Sequence, residues 1–194
     1  RYEFQVVDPN APDDILSDLE REQQHIKLSS ISVPLEWDYR NDMLSPTSGY
    51  LITVAPEYAF PLFSAEVEFF KIRTGISNYL NTSFGRINWG VRMGATRVAS
   101  LNPDEPANLQ IPLASRFFAG GATSHRAFRT DRLGIPGETL EEDGTAIGGN
   151  ALVLVNVEFE KPLWGALNGV LFVDGGNVWI EPGDISFGDF RWGI

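Results

Sequence analysis

The residues able to do chemistry in this sequence are few, and most of their pairings fail on inspection. Ser124 and His125 are neighbours, but adjacency along the chain does not make a nucleophile and its base, which must meet in space. Glu158 and Asp174 form a carboxylate pair of the kind that hydrolyses glycosides, yet nothing else in the chain supports a sugar site. Glu141-Glu142-Asp143 reads as a solvated loop cluster, with weak divalent-cation binding as the alternative. His25 reads as an ordinary strand residue, and His125 is assigned no chemistry. The two histidines lie far apart and there is no cysteine, so His-based and thiolate metal sites and disulfides are not expected. No G-x-S-x-G elbow, P-loop or metal-ligand motif occurs. No cofactor is expected. What remains is a loop with Arg116, Gly120-Gly121 and Arg126. Taken singly, the glycines read as a turn and Arg126 as a solvated arginine.

The elements that must position these residues show themselves by alternation. From Asn150 to Glu160, Ala151, Val153, Val155, Val157 and Phe159 share one face; Asn150, Leu152, Leu154, Asn156, Glu158 and Glu160 share the other. Before Ala99, Ile87, Trp89, Val91, Met93 and Ala95 oppose Arg86, Asn88, Gly90, Arg92, Gly94 and Thr96. Ile31 to Arg40, Tyr50 to Ala55 and Val170 to Trp179 read as further strands. Ala65 to Ser77 slips phase near Phe69–Phe70, which predicts a β-bulge. Arg1 to Val7 reads as a strand remnant, and Phe187 to Ile194 as a strand cut short. Asn41 to Gly49 is a tight polar connection, and the acidic stretch Asn10 to Arg21 a short helix or loop. About Ser100 to Thr145 lies the longest gap between strands, and a loop of that length is usually functional.

Two architectures accommodate such strands. A soluble β-sandwich has strands of about 5–6 residues, whereas a membrane barrel alternates an apolar lipid face with a polar lumen face over about 10 residues. Strands of ten or more residues with a polar inner face favour an all-β, transmembrane antiparallel barrel. No run of about 18 uncharged apolar residues is present, so no transmembrane helix is expected. A net charge of −11 argues against nucleic acid, whose phosphates require clustered Lys and Arg. The chain begins at Arg1 and stops at Ile194 within a strand-like stretch, and reads as a mature fragment or the ordered part of a longer polypeptide.

Arg116-Phe117-Phe118-Ala119-Gly120-Gly121-Ala122-Thr123-Ser124-His125-Arg126-Ala127-Phe128 resembles the loop signature R-F-F-x-G-G-x-x-x-V-R-G-F/Y of the BamA/TamA-type outer-membrane assembly factors, the bacterial surface antigen family. Downstream, Ile147-Gly148-Gly149-Asn150 is similar to the family's G-G-N strand opening. Asn156-Val157-Glu158-Phe159 is similar to its N-x-E motif, and Phe172-Val173-Asp174-Gly175-Gly176 to its F-x-D-x-G motif. Asp38-Tyr39-Arg40-Asn41-Asp42 with Pro46-Thr47-Ser48-Gly49-Tyr50 resembles a family hairpin. Order and spacing match over most of the chain. His125 stands where Val is usual and Ala127 where Gly is usual. If that glycine needs a left-handed backbone, Ala127 is strained.

The resemblance implies a barrel of about sixteen strands, about eight of them in this chain. Residues 1–194 would be part of a barrel domain, with periplasmic domains and the final strands outside it. The sixth extracellular loop would fold into the lumen, with Arg126 meeting Glu158 and Asp174 on the wall. The implied location is the bacterial outer membrane. The implied function is assembly or insertion of outer-membrane proteins, by seam opening and strand templating without covalent catalysis. Its partners would be unfolded outer-membrane proteins, outer-membrane lipid and accessory subunits. The alternatives are a two-partner-secretion-type pore exporting a dedicated passenger protein, and the barrel of a fused hydrolase. If Arg126 is the lumen residue, Arg126→Ala raises protease sensitivity of the long loop more than Arg129→Ala or Arg132→Ala. Equal sensitivity in all three variants would remove the assignment.

Overall fold

A computed structural model describes residues 2–3, 28–61, 67–99, 110–165 and 167–194. Asn10 to Arg21, His25, most of Arg1 to Val7 and the first part of the long loop lie outside them.

Alternation along the chain becomes one antiparallel sheet. Its strands are β1 (Tyr2–Glu3), β2 (Leu28–Ser32), β3 (Leu35–Asp38), β4 (Gly49–Ala59), β5 (Phe69–Thr82), β6 (Gly85–Val98), β7 (Ala151–Trp164), β8 (Leu167–Trp179) and β9 (Arg191–Gly193). The order is β1-β2-β4-β5-β6-β7-β8-β9, with β3 also on β4. The expected single strand from Ile31 to Arg40 is thus two pieces. Pro34 has no N–H to give the ladder, and the chain is pinned at the break by Val33 N–H donating to the Pro56 carbonyl at 3.1 Å. β5, β6 and β7 have 14 residues each, roughly 45 Å of chain at the usual rise. Tilted, that is enough to cross a bilayer's hydrocarbon layer.

The register fixes the faces. Ile76, Val91, Val155 and Gly175 line up across β5–β8, as do Asn78, Trp89, Val157 and Val173. This outer face leaves large apolar side chains exposed: Met93 is 50% and Leu171 73% accessible. A sheet that exposes its apolar side and turns its polar side inward is arranged for lipid outside and water inside. On the inner face stand Lys71, Ser77, Arg92, Asn156, Glu158 and Asp174.

The two ends of the sheet differ. At one end β5–β6 and β7–β8 join through Thr82–Gly85 and Trp164–Leu167. At the other, Val98 and Ala151 are separated by the long loop. Short turns on one side and long loops on the other are the asymmetry of outer-membrane barrels. The short-turn end includes the hairpin from β3 to β4. There Asn41 Oδ1 accepts from Thr47 N and Ser48 N, each at 2.9 Å, and Asp42 Oδ1 accepts from Leu44 N and Ser45 N at 2.8 Å. Those two donors hold the Asp42 carboxyl below its ordinary pKa. Gly49 closes the hairpin at φ +102, where a Cβ would lie 2.1 Å from the Tyr39 carbonyl oxygen.

Two further expectations are corrected. No bulge occurs at Phe69–Phe70: β5 pairs without interruption from Phe69 to Thr82. Both faces are apolar there because Phe69 is buried against Ala59 and the loop residue Ile111, while Phe70 faces outward. The register shift falls instead between Pro162 and Trp164. Phe187 to Ile194 is a strand only at Arg191–Gly193. Phe187–Asp189 is a 3-10 turn, initiated by Ser186 accepting from Gly188 N.

Candidate functional site

The long loop is not structureless in its described part. Phe117 and Gly149 exchange backbone hydrogen bonds of 2.8 and 3.1 Å, and Leu133 N donates to Ala119 O at 2.9 Å. These ties fold the loop back against the inner wall. There Phe117, Ala119 and Leu133 bury themselves with Leu154 and Val178. Leu152 and Leu154, the two apolar residues on the otherwise polar face of β7, are thus where the loop lands.

Arg126 reaches the wall from the tip of this fold. Its Nη2 and Nε donate to Asp174 Oδ1 and Oδ2 at 2.7 and 2.8 Å, and its backbone N–H donates to Oδ2 at 2.9 Å. Its Nη1 donates to Glu158 Oε2 at 2.7 Å. The guanidinium lies over the Phe172 ring, 3.7 Å from its centre, a favourable cation–π placement. Asn156 Nδ2 adds a bond of 2.8 Å to Asp174 Oδ1. An ionised carboxylate has about four acceptor positions, and Asp174, wholly inaccessible to solvent, therefore has all of them used. Glu158 has one of these contacts and a side chain 32% exposed.

The tip is shaped to deliver that arginine. Ser124 Oγ accepts from Gly120 N at 2.8 Å and donates to Gly120 O at 2.7 Å. Gly121 N donates to Phe128 O at 2.9 Å. Gly120 and Gly121 have φ of +117 and +90, and a Cβ on Gly120 would lie 2.2 Å from the Arg129 carbonyl oxygen. Asn156 Nδ2 and Arg92 Nη2 both donate to Ser124 O, at 2.9 and 3.3 Å, and Arg92 also donates to Asn156 Oδ1 at 3.0 Å. The neighbouring arginines of the loop, Arg129 and Arg132, are exposed.

The other singled-out residues hold the loop's base. Arg116, 4% exposed, donates through Nε to Ile111 O at 2.9 Å and through Nη1 to Ile147 O at 2.8 Å, joining the two legs. Phe117 covers Gly94, whose Cβ would fall 2.4 Å from its ring. Phe118 similarly packs on Gly148, at φ +75. Asn150 N donates to Ile180 O, and its own carbonyl accepts from Thr96 N at 2.7 Å, opening β7. Gly176 passes 2.2 Å (as a would-be Cβ) from Val153 O.

Ala127 carries no left-handed strain: among the described non-glycine residues only Asp131 has positive φ. His125 is fully buried. Its Nε2 lies 2.9 Å from Arg191 O, and its ring meets Phe128 edge-on at 4.9 Å. Both replaced residues press on Gly193 of β9, where a Cβ would sit 2.2 Å from Ala127 Cβ. Sequence reasoning missed three contributors: Lys71, which donates to Ser115 O at 2.5 Å, Arg92, and the contact of His125 with β9. Lys71 sits beside two phenylalanines, whose apparent change of phase hid its inward direction.

The Omp85 superfamily domain matches residues 2–190. The chain belongs to the Omp85 superfamily. Its fold is also that of BamA from Haemophilus ducreyi, solved without POTRA domains 1–3: the TM-score is 0.61 at 22% identity, over 77% of this chain and 30% of that one. This Omp85 chain thus spans about a third of that structure. Its sheet is a portion of a bacterial outer-membrane β-barrel.

The unequal loads on the two carboxylates lead to a graded expectation. Asp174→Ala strands three donors of Arg126 and lowers unfolding stability by roughly 3 kcal/mol. Glu158→Ala, at a half-open site, costs about 1 kcal/mol or less. Denaturant titration of the refolded barrel measures both, and the reverse ranking would contradict the geometry.

Proposed function

We propose that this Omp85 barrel assists the assembly or insertion of outer-membrane proteins, with the lumen loop as its control element. The observation that carries this reading is the clamp of Arg126 onto β7 and β8: a loop tied to two adjacent wall strands couples the lumen to the wall. In this reading the barrel opens at its seam and offers strand edges to a client chain, which adds to them by backbone pairing. Arg126, Glu158, Asp174 and the motif residues of the loop act by position.

The reading needs no covalent step, and the side-chain partners favour none. Ser124 Oγ is engaged with the Gly120 backbone and the His125 Nε2 with Arg191 O, so the two do not pair as nucleophile and base. Glu158 and Asp174 both bind one guanidinium, which engages the pair with the loop instead of leaving it facing a sugar as a glycosidase requires. Clients, on this proposal, are unfolded outer-membrane proteins; accessory subunits and the surrounding lipid are further partners.

The test is the folding of several unrelated barrels into liposomes containing the full-length protein. Wild type accelerates folding, and Arg126→Ala lowers the acceleration several-fold. A correctly folded protein that accelerates none of them would overturn the proposal in favour of a pore dedicated to one secreted passenger.

A further inference from the structure

The loop meets the wall through a tip and a root, which share the β6–β7 pair: Arg92 on β6 holds the tip at Ser124 O, and Leu154 on β7 packs under the root at Phe117. Its tip, residues 124–128, meets Glu158 on β7, Asp174 on β8 and Arg191 on β9. Its root, residues 115–119, meets Lys71 on β5 and Gly94 on β6. Between the two stand Gly120 and Gly121, both at positive φ.

Lys71 is the only charged wall contact of the root among the bonds described, and its setting is unusual for a lysine. It is 7% exposed. Its ammonium donates to the Ser115 carbonyl and lies 4.5 Å from the centre of the Phe117 ring. A buried cation is costly unless its donors are used, so this one needs both the carbonyl and the aromatic face. Both belong to the loop root. Phe117 in turn cannot slide away from Lys71 without leaving the space over Gly94 and the cluster with Leu154 and Val178. Glu57, paired with Lys71 in register on β4, balances the charge from the wall side while accepting from Ser30 Oγ at 2.9 Å.

We infer that Lys71 is a positioning residue that fixes the root of the lumen loop on β5 and β6 independently of the Arg126 clamp. The loop then has two separable anchors with a glycine joint between them. Release of Arg126 lets the tip move while the root stays seated, whereas loss of Lys71 loosens the root. The geometry stands by itself; only its meaning for control of the barrel rests on the proposed function.

The chain has no cysteine, so single cysteines introduced here report cleanly once any cysteine elsewhere in the full-length protein is replaced by serine. Nitroxide labels are placed at Ala114, next to the root, or at Ala122, between the glycine joint and the tip, both exposed. They are read by electron paramagnetic resonance in the full-length protein in liposomes, without client. Lys71→Met keeps the apolar stem and removes the charge and donor. It is expected to raise the mobile fraction at position 114 at least twofold and to leave 122 nearly unchanged. Lys71→Arg, which can donate to the carbonyl and stack on the ring, restores immobility at 114. Arg126→Ala gives the opposite pattern. Phe117→Leu, which keeps apolar bulk but removes the aromatic face, mobilises 114 partway, and it decides the matter should Lys71→Met fail to fold. An unchanged 114 signal, equal mobilisation of both labels, or failure of Lys71→Arg to rescue a folded barrel would overturn the inference. Because no client is present, these outcomes are independent of whether the protein inserts barrels.

Discussion

A carboxylate with no access to solvent sits on the inner wall at Asp174, and the arrangement around it follows from the need to satisfy it. In an apolar setting an unpaired carboxylate is severely destabilising. Here three donors from Arg126 and one from Asn156 fill its acceptor positions. The loop therefore completes the wall as much as the wall holds the loop. Breaking the pair from either side leaves an uncompensated charge, which is the costly case for a buried ion pair.

This dependence explains features that look separate. Ser124 and the two glycines bend the tip so that the Arg126 backbone and side chain face one carboxylate together. Asn156 has one amide group bridging Asp174 and the Ser124 carbonyl, so β7 reads both partners. Phe117, Leu133, Leu154 and Val178 supply an apolar seat for the loop beside the polar contact, while Arg126 and Glu158 stay partly open to the lumen. The lipid-facing side needs no comparable device, because β-branched and aromatic side chains there meet a solvent as apolar as themselves.

The strand faces were legible in the sequence because a period of two survives any tertiary context: the residues assigned inward on β6 and β7 are inward. The motif arrangement also pointed to Arg126, Glu158 and Asp174 as a set, and the structure brings these three together. Legibility failed where a second layer covers the wall. Phe69 and Leu154 are apolar on the polar face because loop residues pack on them, and periodicity cannot anticipate a loop that returns from forty residues away. The loop's own order is invisible for a related reason: it is built from isolated bridges and glycine turns, which have no repeat. Lys71 went unseen because its partners are a backbone carbonyl and an aromatic face, neither of which leaves a charge pattern. The break at Pro34 was missed because the alternation runs unbroken across it, although the missing N–H was a signal that could have shown it.

Arg126 and Asp174 act as one unit. A double-mutant cycle on the refolded barrel, with Arg126→Ala, Asp174→Ala and the pair, measures this directly from unfolding free energies. The double variant is expected to be little worse than either single one, with a coupling energy of about 2–3 kcal/mol. Additive losses, with coupling near zero, would mean that the two residues stabilise the protein separately, and the loop would then not be held by this pair.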